Sequence, residues 1–485
     1  MSGKETKRGL TRRLAQNTLW VGVSNVLQYL VSFVFSIYLA RVLGDTGYGK
    51  YSLVISFNVI AIFFTEFGFR TVLVRDVAKD KSTADSYVYS INLVKLLLSP
   101  VVFGLALLVT QVLDHPLEIQ YLIVIFFLSS LANSFAGIFL AAFIAFERMA
   151  LESIFLVAQR TMLALVGLLV LSAGYGLSGF AYGVLAVNLV FLIISVVMYF
   201  AFASPVRKMT IRLDWAFYRY LAVENVPLLV AGFCYLVYRR IDVILLSKLT
   251  TRTAILGWYG IAFQIFFLLQ MISSTYSKVA YPVMSRLEES DRLTLDRVID
   301  KSLKFLLLLE VPIAFGLFSV ARPLIITLYT DTFYEAALLL RIMCWAVVIN
   351  ALTTFLVNWL NSMGQQAQNA KSIFVAMIAN IVFNLILIPR YQHVGAAVTV
   401  LLSECVYFVG VFLAVKDDVS LSLRKHIIKP VVASAVMAII AYLLSSVNLI
   451  VAILAGVVVY LIMLITLRTL DEVDIMLLRQ IILRT

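Results

Sequence analysis

The chain has 485 residues, 62% of them hydrophobic and only 14% charged, with a mean hydropathy of +0.98. Soluble domains carry roughly 45–50% apolar and about 25% charged residues, so this composition excludes an ordinary water-soluble fold. A net charge of +12 would suggest nucleic acid in a soluble protein. Here the basic residues sit in short connections between apolar runs, where they set membrane orientation, and no nucleic-acid partner is expected.

A helix needs about 20 apolar residues to cross the hydrocarbon layer. Such runs occur at 17–40, 50–70, 88–112, 118–146, 151–172, 177–203 and 219–247, then at 254–280, 303–329, 335–361, 369–389, 394–415, 427–445 and 448–467. They predict an all-α polytopic membrane protein with about 14 transmembrane helices. The first run is too long for the apolar region of a signal peptide and reads as a retained helix. With the N-terminus inside, the inner segments hold 27 Lys and Arg and the outer loops five. That asymmetry predicts a multi-pass protein of the cytoplasmic (inner) membrane with both termini cytoplasmic.

The first twelve runs divide into two halves, each with a long charged inner segment after its second run: residues 70–87 and 281–304. Each half also has a Gly-aromatic turn between its first two runs, in "ARVLGDTGYGKY" and "SKLTTRTAILGWYG". Six spans per half give parallel repeats, an arrangement in which two lobes rock about a central cavity. The expected organisation is an N-terminal lobe at 1–203, a cytoplasmic linker at 204–218, a C-terminal lobe at 219–415, and two additional spans with a tail at 416–485. In the tail, Val473, Met476, Leu477 and Ile481 have helical spacing, which suits either a surface-lying or a solvated helix.

Gly44 to Lys50 fits the spacing G-x-x-x-x-G-K, but Tyr51 stands where a phosphate loop needs Ser or Thr, and no strand precedes it. A tight turn is the better reading. Cys234, Cys344 and Cys405 lie in apolar runs without framework spacing, and three scattered histidines offer no metal-ligand pattern, so no metal and no cofactor is expected. No acid–base or nucleophilic constellation appears, and the chain is not expected to be an enzyme.

The informative residues are charges inside the runs, which are costly there and usually face a cavity or a partner. Tyr235, Arg239, Asp242 and Leu246 follow i, i+4, i+7, i+11 in "YLVYRRIDVILLS", with Arg240 projecting elsewhere. Either Arg239 and Asp242 form a structural bridge, or they line a site for an anionic headgroup or a coupling cation. Glu224, Asn225 and Pro227 predict a break near the start of this span. Lys95 and Arg160 add positive charge to the first half, either snorkelling or lining a cavity. Arg322 and Arg341 flank the outer loop bearing Asp331 and Glu335, and salt bridges are expected there. Asn25, Asn58, Gln264 and Gln270 supply neutral hydrogen-bonding groups, as interhelical packing also does.

At "FSIYLARVLGDTGYGKYSLVISF" and "TEFGFRTVLVRDVAKD" the sequence resembles the polysaccharide transporter family, which includes O-antigen and related flippases of the multidrug/oligosaccharidyl-lipid/polysaccharide exporter superfamily. The likeness continues in order through "YRRIDVILLSKL", "GWYGIAFQ", "AYPVMSRL" and "NLILIPRYQHVGAAVTVLLSE". It implies two six-helix lobes around a central cavity, two extra C-terminal helices, and export of a polyprenyl-diphosphate-linked oligosaccharide or polysaccharide repeat unit by alternating access. The implied partners are the lipid-linked oligosaccharide, membrane lipids and polysaccharide assembly proteins.

By that resemblance Arg239, Arg240, Lys95, Arg160 and Asn25 are candidate substrate ligands. Asp242, Asn380, Asn384 and Thr399 are candidates for Na⁺ or H⁺ coupling. Asn384 replaces a carboxylate of the family pattern and Thr399 is one residue out of register, which puts a Na⁺ site in doubt. Two other functions remain open. One is a multidrug–cation antiporter of the same superfamily, against which the four basic residues lean. The other is an integral membrane glycan-processing enzyme, which usually needs a larger extramembrane loop.

Overall fold

The computed structural model describes residues 2–204, 211–212, 214–290, 292–416 and 423–469, and all regular structure among them is helical. Helices dominate because the hydrocarbon core offers the backbone no partners, so a spanning segment must satisfy its N–H and C=O groups internally. The helices are α1 (Ser2–Glu66), α2 (Phe69–Lys79), α3 (Ala84–Val112), α4 (Leu117–Ala145), α5 (Met149–Ser172), α6 (Gly176–Phe202) and α7 (Trp215–Leu249). They continue with α8 (Ala254–Ser290), α9 (Arg292–Tyr329), α10 (Ala336–Ser362), α11 (Gln366–Val415), α12 (Leu423–Ser445) and α13 (Leu449–Thr466).

Among the described residues, eleven helical segments are long and apolar enough to cross a membrane. Two of these are kinked pairs. α1 bends at Gly44 (φ 67°, ψ −178°), a conformation that disfavours any residue with a Cβ, and α11 bends at Gln392. Taking the arms of α1 and α11 separately and adding α7 brings the number to about the fourteen spans expected. The Gly44–Lys50 segment is helical after the bend, and Lys50 Nζ lies 2.6 Å from a Glu118 carboxylate oxygen, so it is no phosphate loop.

Two expectations are corrected. Residues 70–87, read as a charged inner segment, contain the amphipathic helix α2. It buries Phe69, Val72, Leu73 and Val77 on one stripe and turns Arg70, Arg75 and Lys79 outward. The expected break at Glu224–Pro227 does not terminate the helix, since α7 runs from Trp215 to Leu249. Asn225 folds its amide back onto its own helix, donating to the Leu221 carbonyl at 2.7 Å. The predicted amphipathic tail (Val473 to Ile481) lies outside the described residues.

The chain forms two compact units, Met1–Arg240 and Ile241–Thr485, which divide within α7. The first unit takes up the N-terminal part of α7 because α2 and α3 hold it. Arg75 lies 2.9 Å from Glu224 and donates to the Tyr220 hydroxyl at 2.7 Å, while Phe217 and Leu221 join the core of Tyr87, Ile91, Phe139 and Tyr199. In the second unit, α10 packs against α8, α9 and α11, and α12 lies against α9 and α13. Tyr460 of α13 donates to the Leu308 carbonyl of α9 at 2.6 Å, and Gly456 of α13 faces Met437 and Ala441 of α12. The two C-terminal helices are thus anchored on α9.

Candidate functional site

The first unit encloses a cavity of about 300 Å³ among α1, α4, α5 and α6. Its lining follows from helical periodicity. On α1, Gln28, Ser32 and Ser36 recur every fourth residue, so one polar stripe faces inward from an otherwise apolar helix. The bend at Gly44 reverses the chain and brings Tyr51 to the same cavity. On α6, Phe180, Val184 and Asn188 form the facing stripe. Ser129, Ser130 and Asn133 come from α4, and Gln159 and Arg160 from α5.

The cavity has a polar side and an aromatic side. Gln159 Nε2 donates to Asn133 Oδ1 at 2.9 Å and to Asn188 Oδ1 at 3.0 Å, and Asn188 Nδ2 donates to Ser129 Oγ at 2.8 Å. Three helices are thereby locked together by neutral amides and a hydroxyl, with little freedom left in their rotamers. Opposite them, Phe35 and Phe180 have ring centroids 5.5 Å apart, and Tyr51 and Phe126 lie 6.1 and 6.2 Å from Phe180. Gly167 makes room for this cluster, since a Cβ there would fall 2.3 Å from the Phe35 ring. Arg160 is an exposed cation on the wall. Tyr51 interacts electrostatically with both Arg160 and Arg240; Arg160 lines the cavity, and Arg240 is not among its lining residues.

The other predicted residues lie elsewhere. Asn25 is exposed on α1, one turn before Gln28. Lys95 is fully buried and its Nζ donates to the Ser134 carbonyl at 2.8 Å, while Ser134 Oγ donates to Glu66 at 3.2 Å. Arg239 is buried with its guanidinium carbon 5.9 Å from the Tyr235 ring centre. Asp242 is buried in the second unit; it accepts from the Val243 N–H at 2.9 Å and from the Tyr259 hydroxyl. Asn384 Nδ2 donates to Asn380 Oδ1 at 3.0 Å, which leaves Asn384 Oδ1 buried without a donor. Thr399 Oγ1 donates to the Gly395 carbonyl at 2.9 Å. Gly395 itself presses on the Leu387 carbonyl, where a Cβ would sit 2.4 Å away, so glycine is required for the two arms of α11 to meet.

The sequence reading singled out Arg160 and passed over Gln159, Asn133, Asn188, Ser129 and Tyr51. The available signal was an amide next to Arg160 and a second amide, Asn133, in the strongly apolar run of α4.

Fold and cavity together define a multi-pass helical membrane protein with a polar, aromatic-walled cavity inside its first unit. The sequence profile of the polysaccharide biosynthesis protein family matches residues 14–288, and the chain belongs to that family. A second profile, MatE, matches residues 227–386. Among curated proteins, the Probable flippase AglR of Haloferax volcanii is 25% identical over 276 residues, 56% of this chain and 55% of that protein. The Probable low-salt glycan biosynthesis flippase Agl15 of the same organism is 22% identical over 190 residues, 38% of this chain and 40% of that protein. The chain thus matches about half the length, or less, of these relatives.

Among solved structures, the lipid II flippase MurJ in an inward closed conformation superimposes with a TM-score of 0.69 at 16% identity, covering 90% of this chain and 99% of MurJ. An inward-facing multidrug resistance MATE family transporter of the MOP superfamily gives a TM-score of 0.63 at 14% identity, covering 82% of this chain and 96% of that one. These likenesses establish the fold.

Proposed function

We propose that this protein is a flippase that moves a polyprenyl-diphosphate-linked oligosaccharide across the cytoplasmic membrane by alternating access, with both termini cytoplasmic. The observation that carries the reading is the cavity of the first unit, with its amide network, aromatic wall and Arg160. A sugar ring has apolar C–H faces that pack on aromatic rings and hydroxyls that pair with amides. A diphosphate calls for arginine, whose planar guanidinium can donate two parallel hydrogen bonds. Neither headgroup part crosses about 30 Å of hydrocarbon unaided. A cavity inside the bundle substitutes protein groups for water while the lipid tail stays in the bilayer.

The family membership and the flippase names of the curated relatives support this reading. The MatE match and the aromatic wall would also suit a cation antiporter, but Arg160 and the nearby Arg240 oppose a cationic substrate. Energy coupling is assigned to Asp242, Asn380, Asn384 and Thr399. The unpartnered, buried Asn384 Oδ1 fits an oxygen ligand for a cation such as Na⁺.

The test is reconstitution in liposomes with a fluorescent polyprenyl-diphosphate oligosaccharide and a glycan-cleaving enzyme added outside. Flipping raises the cleavable fraction with time. A folded protein that leaves this fraction unchanged under Na⁺, H⁺ and no gradient would end the proposal. Orientation is tested by cysteines at Thr46, Arg252 and Ser446, expected to label from outside, against Asp80 and Ser422, expected not to.

A further inference from the structure

We propose that Arg322 and Arg341 form a second anion site, which holds the phosphate of a membrane phospholipid headgroup and is separate from the transport cavity. The second unit has a cavity of about 630 Å³ lined by Ser319, Arg322, Arg341, Tyr442, Ser445 and Ser446. Two arginines share it with three serines and a tyrosine, and no acidic side chain lines it. The sequence predicted salt bridges from these arginines to Asp331 and Glu335. The structure overturns that expectation: among the described residues, neither arginine makes an ion pair, and Glu335 faces His393 at 3.8 Å instead.

The geometry of Arg341 favours an external ligand. Its Nε donates to the Phe318 carbonyl at 3.2 Å and its guanidinium carbon lies 5.8 Å from the Phe318 ring centre. Those contacts fix the plane of the group and leave its two terminal amino groups for a partner. Arg322, on α9, is exposed and makes no hydrogen bond or ion pair among the described residues. Two cations inside apolar helices, with no internal carboxylate, require an anion or water to be tolerable there.

Depth and surroundings identify the anion. At 1.5 Å per residue, Arg322 lies about 10 Å before the end of α9 and Arg341 about 8 Å after the start of α10. Both arginines therefore stand within about two turns of the helix ends that meet at the 330–335 connection, toward the end of their spans and not at the middle. The cavity rim and its neighbours are bare apolar groups, with Leu443 64%, Tyr442 62%, Phe318 45% and Leu338 44% exposed. Such a surface suits acyl chains and repels a free, hydrated ion. The serine hydroxyls donate to carbonyls of α9 and α12, Ser319 to Gly316, Ser445 to Tyr442 and Ser446 to Leu443, so the two arginines carry the site. Two cations beside exposed apolar groups match an anionic phospholipid, its phosphate on the arginines and its tails along α12.

The test uses the full chain purified in detergent and exposed to three probes: phosphatidylglycerol, diacylglycerol lacking the phosphate, and inorganic phosphate. Native mass spectrometry counts retained lipid. The wild type is expected to retain phosphatidylglycerol and not diacylglycerol. Arg322→Gln/Arg341→Gln should lower that retention on the order of ten-fold, and Arg322→Lys/Arg341→Lys less. Unchanged retention in the glutamine variant overturns the proposal. Displacement of the lipid by submillimolar inorganic phosphate reassigns the site to the free ion and overturns the lipid assignment. Should the glutamine variant not fold, a photoreactive residue at Leu443 in the otherwise native protein decides. Cross-linking to phosphatidylglycerol in preference to diacylglycerol is expected, and equal cross-linking to both refutes the site.

Discussion

The two cavities handle polarity in opposite ways. In the first unit, Gln159, Asn133, Asn188 and Ser129 come from three helices and satisfy one another before any ligand arrives. Their remaining lone pairs and protons, together with Arg160, are held in fixed directions beside an aromatic wall. In the second unit, Arg322 and Arg341 rely on no such network, and the hydroxyls of Ser319, Ser445 and Ser446 beside them donate to carbonyls of α9 and α12. A pre-paired network gives orientation and hence discrimination among ligands, whereas bare charge at a lipid-facing surface gives attraction with little selectivity. Transport of a defined glycan needs the first kind of site. Seating a protein among lipids needs only the second.

The largest expected contrast comes from the arginines. Arg160→Ala should slow flipping on the order of ten-fold, about 1.4 kcal/mol, with the protein still monodisperse because the residue is exposed. Arg322→Gln/Arg341→Gln should leave the initial flipping rate within about two-fold in lipid of fixed composition, since neither residue lines the cavity of the first unit. Equal losses in both variants, read as initial rates in liposomes, would erase the distinction between the cavities.

The amide network comes next. Asn188→Leu removes the link between Gln159 and Ser129 and strands buried polar atoms, which should cost about 1–3 kcal/mol of stability and slow flipping as well. Thermal melting in detergent measures the first effect and liposome assays the second. A variant as stable as the wild type would mean that water replaces the asparagine.

Asp242→Asn probes coupling. The Tyr259 hydroxyl can still donate to the amide oxygen, so insertion and folding should persist while the response of flipping to an ion gradient disappears. Unaltered gradient dependence in the folded variant would remove Asp242 from the coupling assignment. The smallest effect is expected from the wall: Phe180→Leu keeps apolar volume but loses ring stacking, roughly 0.5–1.5 kcal/mol. It should weaken substrate affinity a few-fold with the maximal rate preserved, and a reduced maximal rate with unchanged affinity would count against sugar packing there.

Most of the architecture could be read in the sequence because a membrane span has a one-dimensional signature: about 20 apolar residues in a row. The misread elements are those governed by contacts. Helix α2 was obscured by the charges of Arg70, Arg75 and Lys79, although its apolar stripe was present. Pro227 does not end α7, whose preceding turns are held by α2 at Tyr220 and Glu224. Arg160 was visible because charge in an apolar run is rare. Its amide partners were not, since a neutral amide there signals packing as readily as lining, and only the fold brings three helices to one point. Arg322 and Asp331 misled by nearness in sequence: nine residues along the chain, Asp331 sits past the helix end while Arg322 faces the cavity.

Because one helix, α7, begins in the first unit and ends in the second, cutting the chain at either end of it separates contacts. A split gene with its break in the 204–218 connection would deliver Trp215–Arg240 on the wrong fragment, tearing Phe217, Tyr220 and Glu224 from partners on α2 and α3. A break at Thr250–Thr253, just beyond α7, keeps each of those contacts within a single polypeptide but parts Ile241–Leu249 from the second unit, where Asp242 accepts from the Tyr259 hydroxyl. Neither end of α7 is a clean seam, so fragment complementation at either connection has to rebuild contacts that the helix makes with both units, even though the longer linker looks the more natural place to cut.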